Sequence, residues 1–215
     1  FTLDADDDIE LLTTTSSAAT SGIDLAGNAL AQTIVGNAGN NLLRSGTGAP
    51  DTMKGLGGND IYRVSNAGDI VVDGSGQGTN DRVIASVDYT LGNNARIELF
   101  TTDNSTATTG LDLTGNRFAQ TINGNAGANI LADGGGTGAD VLQGLAGNDI
   151  YILRSKNSTV TENAGQGTND RVATSFDFTL AADDHVERLT TTSNAGTAAI
   201  DLAGNAFAQV ITGNA

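Results

Sequence analysis

The sequence predicts an all-β protein, a parallel β-roll or β-solenoid wound from tandem units of 88–89 residues. Three observations predict it. Large apolar residues recur about every nine positions, glycines punctuate the gaps between them, and whole blocks of sequence return at a fixed offset.

The long repeat is seen first. "IDLAGNALAQTIVGNAGNN" starts at Ile23, "LDLTGNRFAQTINGNAGAN" at Leu111 and "IDLAGNAFAQVITGNA" at Ile200, offsets of 88 and 89. "GQGTNDRV" occurs at Gly76 and at Gly165, and "GLGGNDIYR" at Gly55 returns as "GLAGNDIYI" at Gly144. We therefore divide the chain into the tail of one unit (1–22), two units (23–110 and 111–199) and the head of another (200–215). The expectation is a segment of a longer tandem array.

A shorter period lies inside each unit. Leu25, Ile34, Leu43, Met53, Tyr62 and Val71 stand 9, 9, 10, 9 and 9 residues apart, and Leu113, Ile122, Leu131, Leu142, Tyr151 and Val160 repeat the ladder. One inward apolar residue in nine reads as a short strand followed by a tight turn. Two such repeats make one coil of about 18 residues, so alternate apolar residues stack into two columns. After each ladder come about 40 residues of spacer. Within them "VIASVDYTL" (Val83–Leu91), "RIELFTT" (Arg96–Thr102) and "VERLTTT" (Val186–Thr192) alternate and are rich in β-branched residues, so they read as further strands. No segment reads as a helix.

Composition narrows the function. Asp plus Glu number 25 against 10 Lys plus Arg, a net charge of −15. A polyanion partner needs clustered basic residues, so nucleic acid is excluded as an expected partner. The balance suits a protein that meets cations. Glycine, at 29 of 215 residues, is about twice its usual ~7% share, as many tight turns require. Without cysteine there is neither a disulfide nor a thiolate metal site. No apolar run approaches the ~18 residues of a membrane span, and Phe1-Thr2-Leu3-Asp4 has neither the basic start nor the apolar core of a signal peptide.

The template of the short repeat is G-G-x-G-x-D-x-U-x, with U a large apolar residue. Over roughly 27–72 and 116–160 it resembles the nonapeptide repeats of RTX, or haemolysin-type calcium-binding, proteins. The departures are Gln32, Gln120, Asn41 and Asn129 in place of Asp, Ser158 in the last rung of the second unit, and Leu56 and Leu145 for the second glycine. Pro50 also enters one turn, and Asp133–Gln143 is two residues longer than nine.

The resemblance implies calcium in the glycine turns. Calcium takes 6–8 oxygen ligands, carboxylate and carbonyl alike, and glycine can turn successive carbonyls inward because positive φ is cheap for it. Candidate ligands are Asn41, Asp51, Asp60, Asp69, Asn129, Asp140 and Asp149, with turn carbonyls from Gly36, Gly46, Gly55, Gly57, Gly124, Gly135 and Gly144. Turns one coil apart would pair Asn41 with Asp60, Asp51 with Asp69, and Asn129 with Asp149. Asp60 and Asp149 lie in the best-formed turns and lead the set. Asp140 stands between Gln120 and Ser158 and has weaker company. Asn59 and Asn148 are read as turn-fixing residues. A metal-free solenoid with Asn and Gln ladders is the competing reading, since Asn28, Asn116 and Asn205 recur in register.

Other residue types carry less. Glu10, Glu98 and Glu187 recur at one position and read as part of a solvated strand face, with a buried ion pair to Arg as the alternative. His185 is the single histidine and reads as a surface residue; no Ser-His-Asp arrangement has a partner for it, so no catalytic residue is assigned. The expectation is a calcium-binding module whose folding depends on calcium. It would belong to a secreted or cell-surface structural protein, such as an adhesin, surface-layer or filament component, with other copies of itself as candidate partners through open solenoid ends. Export by a type I route is what the resemblance implies. The alternative is the accessory region of a secreted protease, lipase or polysaccharide-modifying enzyme. Polysaccharide binding by the solenoid itself would need an aromatic stripe or acidic cleft, for which Tyr62, Tyr89, Tyr151 and six Phe are few.

Overall fold

A computed structural model describes all 215 residues. It is all-β, without a helix, and divides into two compact units, Phe1–Asp103 and Asn104–Ala215. Each is a β-solenoid of short parallel strands.

The first unit contains β1 (Leu11–Thr13), β2 (Asp24–Ala26), β3 (Thr33–Val35), β4 (Leu42–Arg44), β5 (Thr52–Lys54), β6 (Ile61–Val64), β7 (Ile70–Val72), β8 (Arg82–Ala85), β9 (Tyr89–Thr90) and β10 (Leu99–Thr102). The second contains β11 (Asp112–Thr114), β12 (Thr121–Asn123), β13 (Ile130–Ala132), β14 (Val141–Gln143), β15 (Ile150–Leu153), β16 (Thr159–Thr161), β17 (Arg171–Thr174), β18 (Phe178–Thr179), β19 (Arg188–Thr191), β20 (Leu202–Ala203) and β21 (Val210–Thr212).

Strands pair with the next but one, as a two-faced coil requires. In the first unit, β2, β4, β6, β8 and β10 form one parallel face and β1, β3, β5 and β7 the other. The registers put Leu25, Leu43, Tyr62, Val83 and Phe100 in one column and Leu12, Ile34, Met53 and Val71 in the second. In the second unit, the odd-numbered strands β11 to β21 stack Leu113, Leu131, Tyr151, Val172, Leu189 and Ile211, while β12, β14 and β16 stack Ile122, Leu142 and Val160. These are the two apolar columns expected from the nine-residue period. Except at Ile211 their members are buried.

The spacer strands continue the same faces. Each coil that leads from the ladder into the spacer is lengthened: Tyr62 registers with Val83 and Tyr151 with Val172, a step of 21 residues. The extra chain carries the "GQGTND" turn across the edge of the solenoid. Tyr62 and Tyr151 fill the wide coil and are fully buried.

Eight glycines adopt positive φ, and so do two leucines, Leu56 at 76° and Leu145 at 75°. Both leucines sit where the repeat template has its second glycine. A left-handed residue with a Cβ costs about 1–2 kcal/mol, part of which the half-buried side chains recover. Leu56→Gly with Leu145→Gly should therefore raise the Tm of the calcium-saturated chain by a few degrees. An unchanged or lower Tm in a thermal melt would show that the side chains contribute more than the strain removes.

Candidate metal centre

The site begins with the residue two places before each inward apolar side chain. Its backbone N–H donates to the side chain one coil further on. Gln32 donates to Asp51 at 2.6 Å and Asp51 to Asp69 at 2.9 Å. On the other edge Asn41 donates to Asp60, Asp60 to Asp81 and Asp81 to Glu98, each at 2.7 Å. The second unit repeats this with Asn129 to Asp149, Asp149 to Asp170 and Asp170 to Glu187, again at 2.7 Å. Because the amide comes from a β-strand that is itself held in register, each carboxylate has one oxygen fixed by the fold.

The other oxygen differs between the two edges. Asp51 Oδ2 accepts from the Gly46 N–H, and Asp69 Oδ2 from the Ser65 and Asn66 N–H groups. Asp140 accepts from the Gln120 N–H and the Ser158 hydroxyl. In these carboxylates both oxygens accept a hydrogen bond from the protein. Asp60 Oδ2, Asp149 Oδ2 and Asp170 Oδ2, in contrast, are buried and accept no hydrogen bond.

A third acid completes each group. Tyr62 donates its hydroxyl to Asp73 Oδ2 at 2.9 Å while accepting from the Gly55 N–H at 3.1 Å. Tyr151 donates to Glu162 Oε2 and accepts from the Gly144 N–H at 2.9 Å. Asp73 Oδ1 and Glu162 Oε1 are left buried without a partner. Asp60, Asp73 and Asp81 form one cluster and Asp149, Glu162 and Asp170 the other, with carboxylate oxygens within 4.8 Å of one another. All six residues are buried. The glycines leave the room: a Cβ on Gly55 would lie 1.9 Å from Asp60 Oδ2, and one on Gly144 2.0 Å from Asp149 Oδ2. Gly78 and Gly167 bear in the same way on Asp81 and Asp170.

Two ionised carboxylates at that distance repel by roughly 3 kcal/mol at an effective dielectric near 20. Three such pairs in each of two clusters would together exceed the ~5–15 kcal/mol net stability of a typical domain. The metal-free chain escapes by holding protons. Burial, reinforced by the neighbouring carboxylates, pushes Asp81 and Asp149 up to about 7 and Glu162 to about 8. Asp73 and Asp170 are raised to about 6, and Asp60 is raised for the same first reason, burial. A bound divalent cation supplies the alternative: positive charge among oxygens that have no other partner. The donor set is all oxygen and anionic, which suits calcium.

Of the sequence-predicted set, the structure places Asp60 in one cluster and Asp149 in the other. Asn41 and Asn129 adjoin them as amide donors; Gly55 and Gly144 face them across the turn. Gly36 and Gly124 lie one coil earlier against Asn41 and Asn129. Asp51, Asp69, Asp140 and Gly46 are on the other edge and belong to neither cluster. Gly57 meets only Ala38, and Gly135 donates its N–H to Asp133. Asn59 and Asn148 accept from the backbone of Thr79 and Thr168 one coil further on, so they tie neighbouring turns together.

Asp73, Asp81, Glu162 and Asp170 were not among the residues picked from the sequence. "GQGTNDRV", which occurs twice, carries Asp81 and Asp170, 21 residues after Asp60 and Asp149 and so off the nine-residue period; Asp73 and Glu162 stand three residues before it. Glu98 and Glu187 also need correction. They are half-buried, not a solvated face, because each must reach the N–H of the preceding Asp.

A β-solenoid whose coils carry buried, partnerless carboxylates at glycine turns is a calcium-binding repeat module in class. The family model for the RTX calcium-binding nonapeptide repeat matches four times, at residues 27–62, 36–71, 114–137 and 135–155. The chain thus carries RTX repeats, and their ion is calcium. No curated protein and no solved structure matches it.

The raised carboxyl groups set a pH dependence. Unfolded, these acids titrate near 4; folded without metal, they titrate at about 6 to 8. Between those limits the folded chain holds more protons, so its metal-free stability falls as pH rises. In chelator, far-UV circular dichroism should show β signal at pH 5.5 that declines toward pH 8, while calcium affinity increases over the same interval. A chelated fold that gains stability with pH would contradict this account.

Proposed function

We propose that this chain is a calcium-dependent folding module of a secreted or cell-surface structural protein, with its ions held by Asp60, Asp73 and Asp81 and by Asp149, Glu162 and Asp170. The observation that carries the reading is the set of buried carboxylate oxygens without a hydrogen-bond partner, recurring at equivalent positions of both units. Where calcium is scarce, like charges and a core one side chain wide oppose compaction. Where calcium is plentiful, ion binding adds its free energy to folding. Such a switch suits a protein that crosses a membrane unfolded and folds outside. Tandem units of one length extend a solenoid along its axis, which favours a stalk, layer or filament over a single pocket.

Four of the six proposed ligands lie outside the residues matched by the repeat model, which makes them a sharp test. Calcium titration followed by far-UV circular dichroism, with magnesium as control, should give a calcium-specific rise in β signal. Asp81→Asn with Asp170→Asn should move the midpoint at least tenfold higher. A β signal indifferent to chelator near neutral pH would sink the folding switch. An unchanged midpoint in the variant would sink the ligand assignment.

A further inference from the structure

The second unit has a groove of about 700 Å³ on the outward face of β15, β17, β19 and β21. It is lined by Arg154, Arg171 and Arg188 and by no carboxylate. In a chain with 10 basic and 25 acidic side chains, three arginines in one depression are a strong local inversion of charge. None of the three is in an ion pair. Arg171 Nε is buried and has no hydrogen-bond partner.

The first unit supplies an internal control, since its strands repeat the same register 89 residues earlier. There Arg82 stands for Arg171, and its guanidinium donates to Thr101 Oγ1 at 2.9 and 3.3 Å. In the second unit the matching hydroxyl, on Thr190, donates to the Val172 carbonyl at 3.3 Å, and Arg171 is left without it. Four replacements open and charge the groove, namely Ala173 for Ile84, Arg154 for Ser65, Arg188 for Leu99 and Thr192 for Asp103, while Ile152 stands where the first unit has Arg63. The depression lined by Ile84 and Asp103 holds only about 170 Å³. The backbone is shared, so side chains alone make the difference.

The arginines are arranged for more than one anionic group. Arg171 and Arg188 are register partners, about 4.8 Å apart across the sheet. Arg154 follows β15 on the rung paired with β17, four residues further along than Arg171's partner Ile150, or roughly 13 Å. Between the two ends the floor is Ala173 and Thr190, small and hydroxylated. A guanidinium fork matches carboxylate or sulfate in two parallel hydrogen bonds. No aromatic ring lines the groove, so base stacking has no platform, and a glycan here would be held by guanidinium groups and not by the aromatic stripe or acidic cleft expected from the sequence. A single inorganic anion would leave one end unused.

We propose that this groove binds an acidic oligosaccharide, with one carboxylate or sulfate held by Arg171 and Arg188, a second by Arg154, and sugar hydroxyls over the floor between them. The test is titration calorimetry on the calcium-saturated 215-residue chain with three hexamers: a polyuronate, a sulfated glycan and a neutral glucan. One or both acidic hexamers should bind, more weakly as salt rises, and the neutral one should not; which acidic hexamer binds distinguishes carboxylate from sulfate. Arg171→Gln should weaken binding at least tenfold. So should Arg188→Leu and Ala173→Ile, which install residues the first unit already accommodates at those positions, and calcium-induced circular dichroism would verify their fold. No binding of either acidic hexamer, equal binding of the neutral one, or wild-type affinity in the folded variants would overturn the proposal, the last by assigning the contact to bound calcium.

Discussion

Each metal-cluster carboxylate on the coil edge gives one oxygen to the amide of the coil before it, and the rest of the structure depends on that division. The amide bond sets where the acid sits, because the donor belongs to a strand in fixed register. The second oxygen is then free to face the acids of adjoining turns. The arrangement is unfavourable unless something positive, a proton or a cation, lies among the oxygens. On the function proposed above, ion binding and folding are coupled near neutral pH, where protons no longer fill that role.

Glycine and tyrosine make the division feasible. At Gly55 and Gly144 any side chain would occupy the position of the acidic oxygen. Tyr62 and Tyr151 serve the core and the acid cluster at once: the ring fills the wide coil of the apolar core, while the hydroxyl orients the third acid. The 21-residue coil provides the slack for this, bringing Asp73 and Glu162 back beneath the turn that precedes them.

The two units show how a solenoid separates its structural from its surface chemistry. Inward positions are nearly the same in both: Asp60 and Asp149, Tyr62 and Tyr151, Val83 and Val172. Outward positions on the same strands have diverged, with Leu99 facing out in one unit and Arg188 in the other. A period-two strand permits this, since successive side chains lie on opposite faces and an outward change leaves the core column untouched. The guanidinium groove is a product of that freedom.

Much of this was legible in the residues. The nine-residue apolar period determined the two columns, and the paired "GNDIY" stretches marked Asp60 and Asp149, because backbone geometry repeats wherever local sequence does. The partners of those acids were not legible. Asp81 and Asp170 lie off the period, and Asp73 and Glu162 arrive from a turn whose path depends on how much chain the tyrosine holds out. Sequence ranks Asp60 above Asp51 but not for the reason the structure gives: protein donors reach both oxygens of Asp51 and only one of Asp60. Composition counted ten basic residues without showing that three of them meet on one outward face. A repeating sequence specifies the coil, but which side chains become neighbours across coils follows from the length of each turn, and that length acts only once the chain is wound.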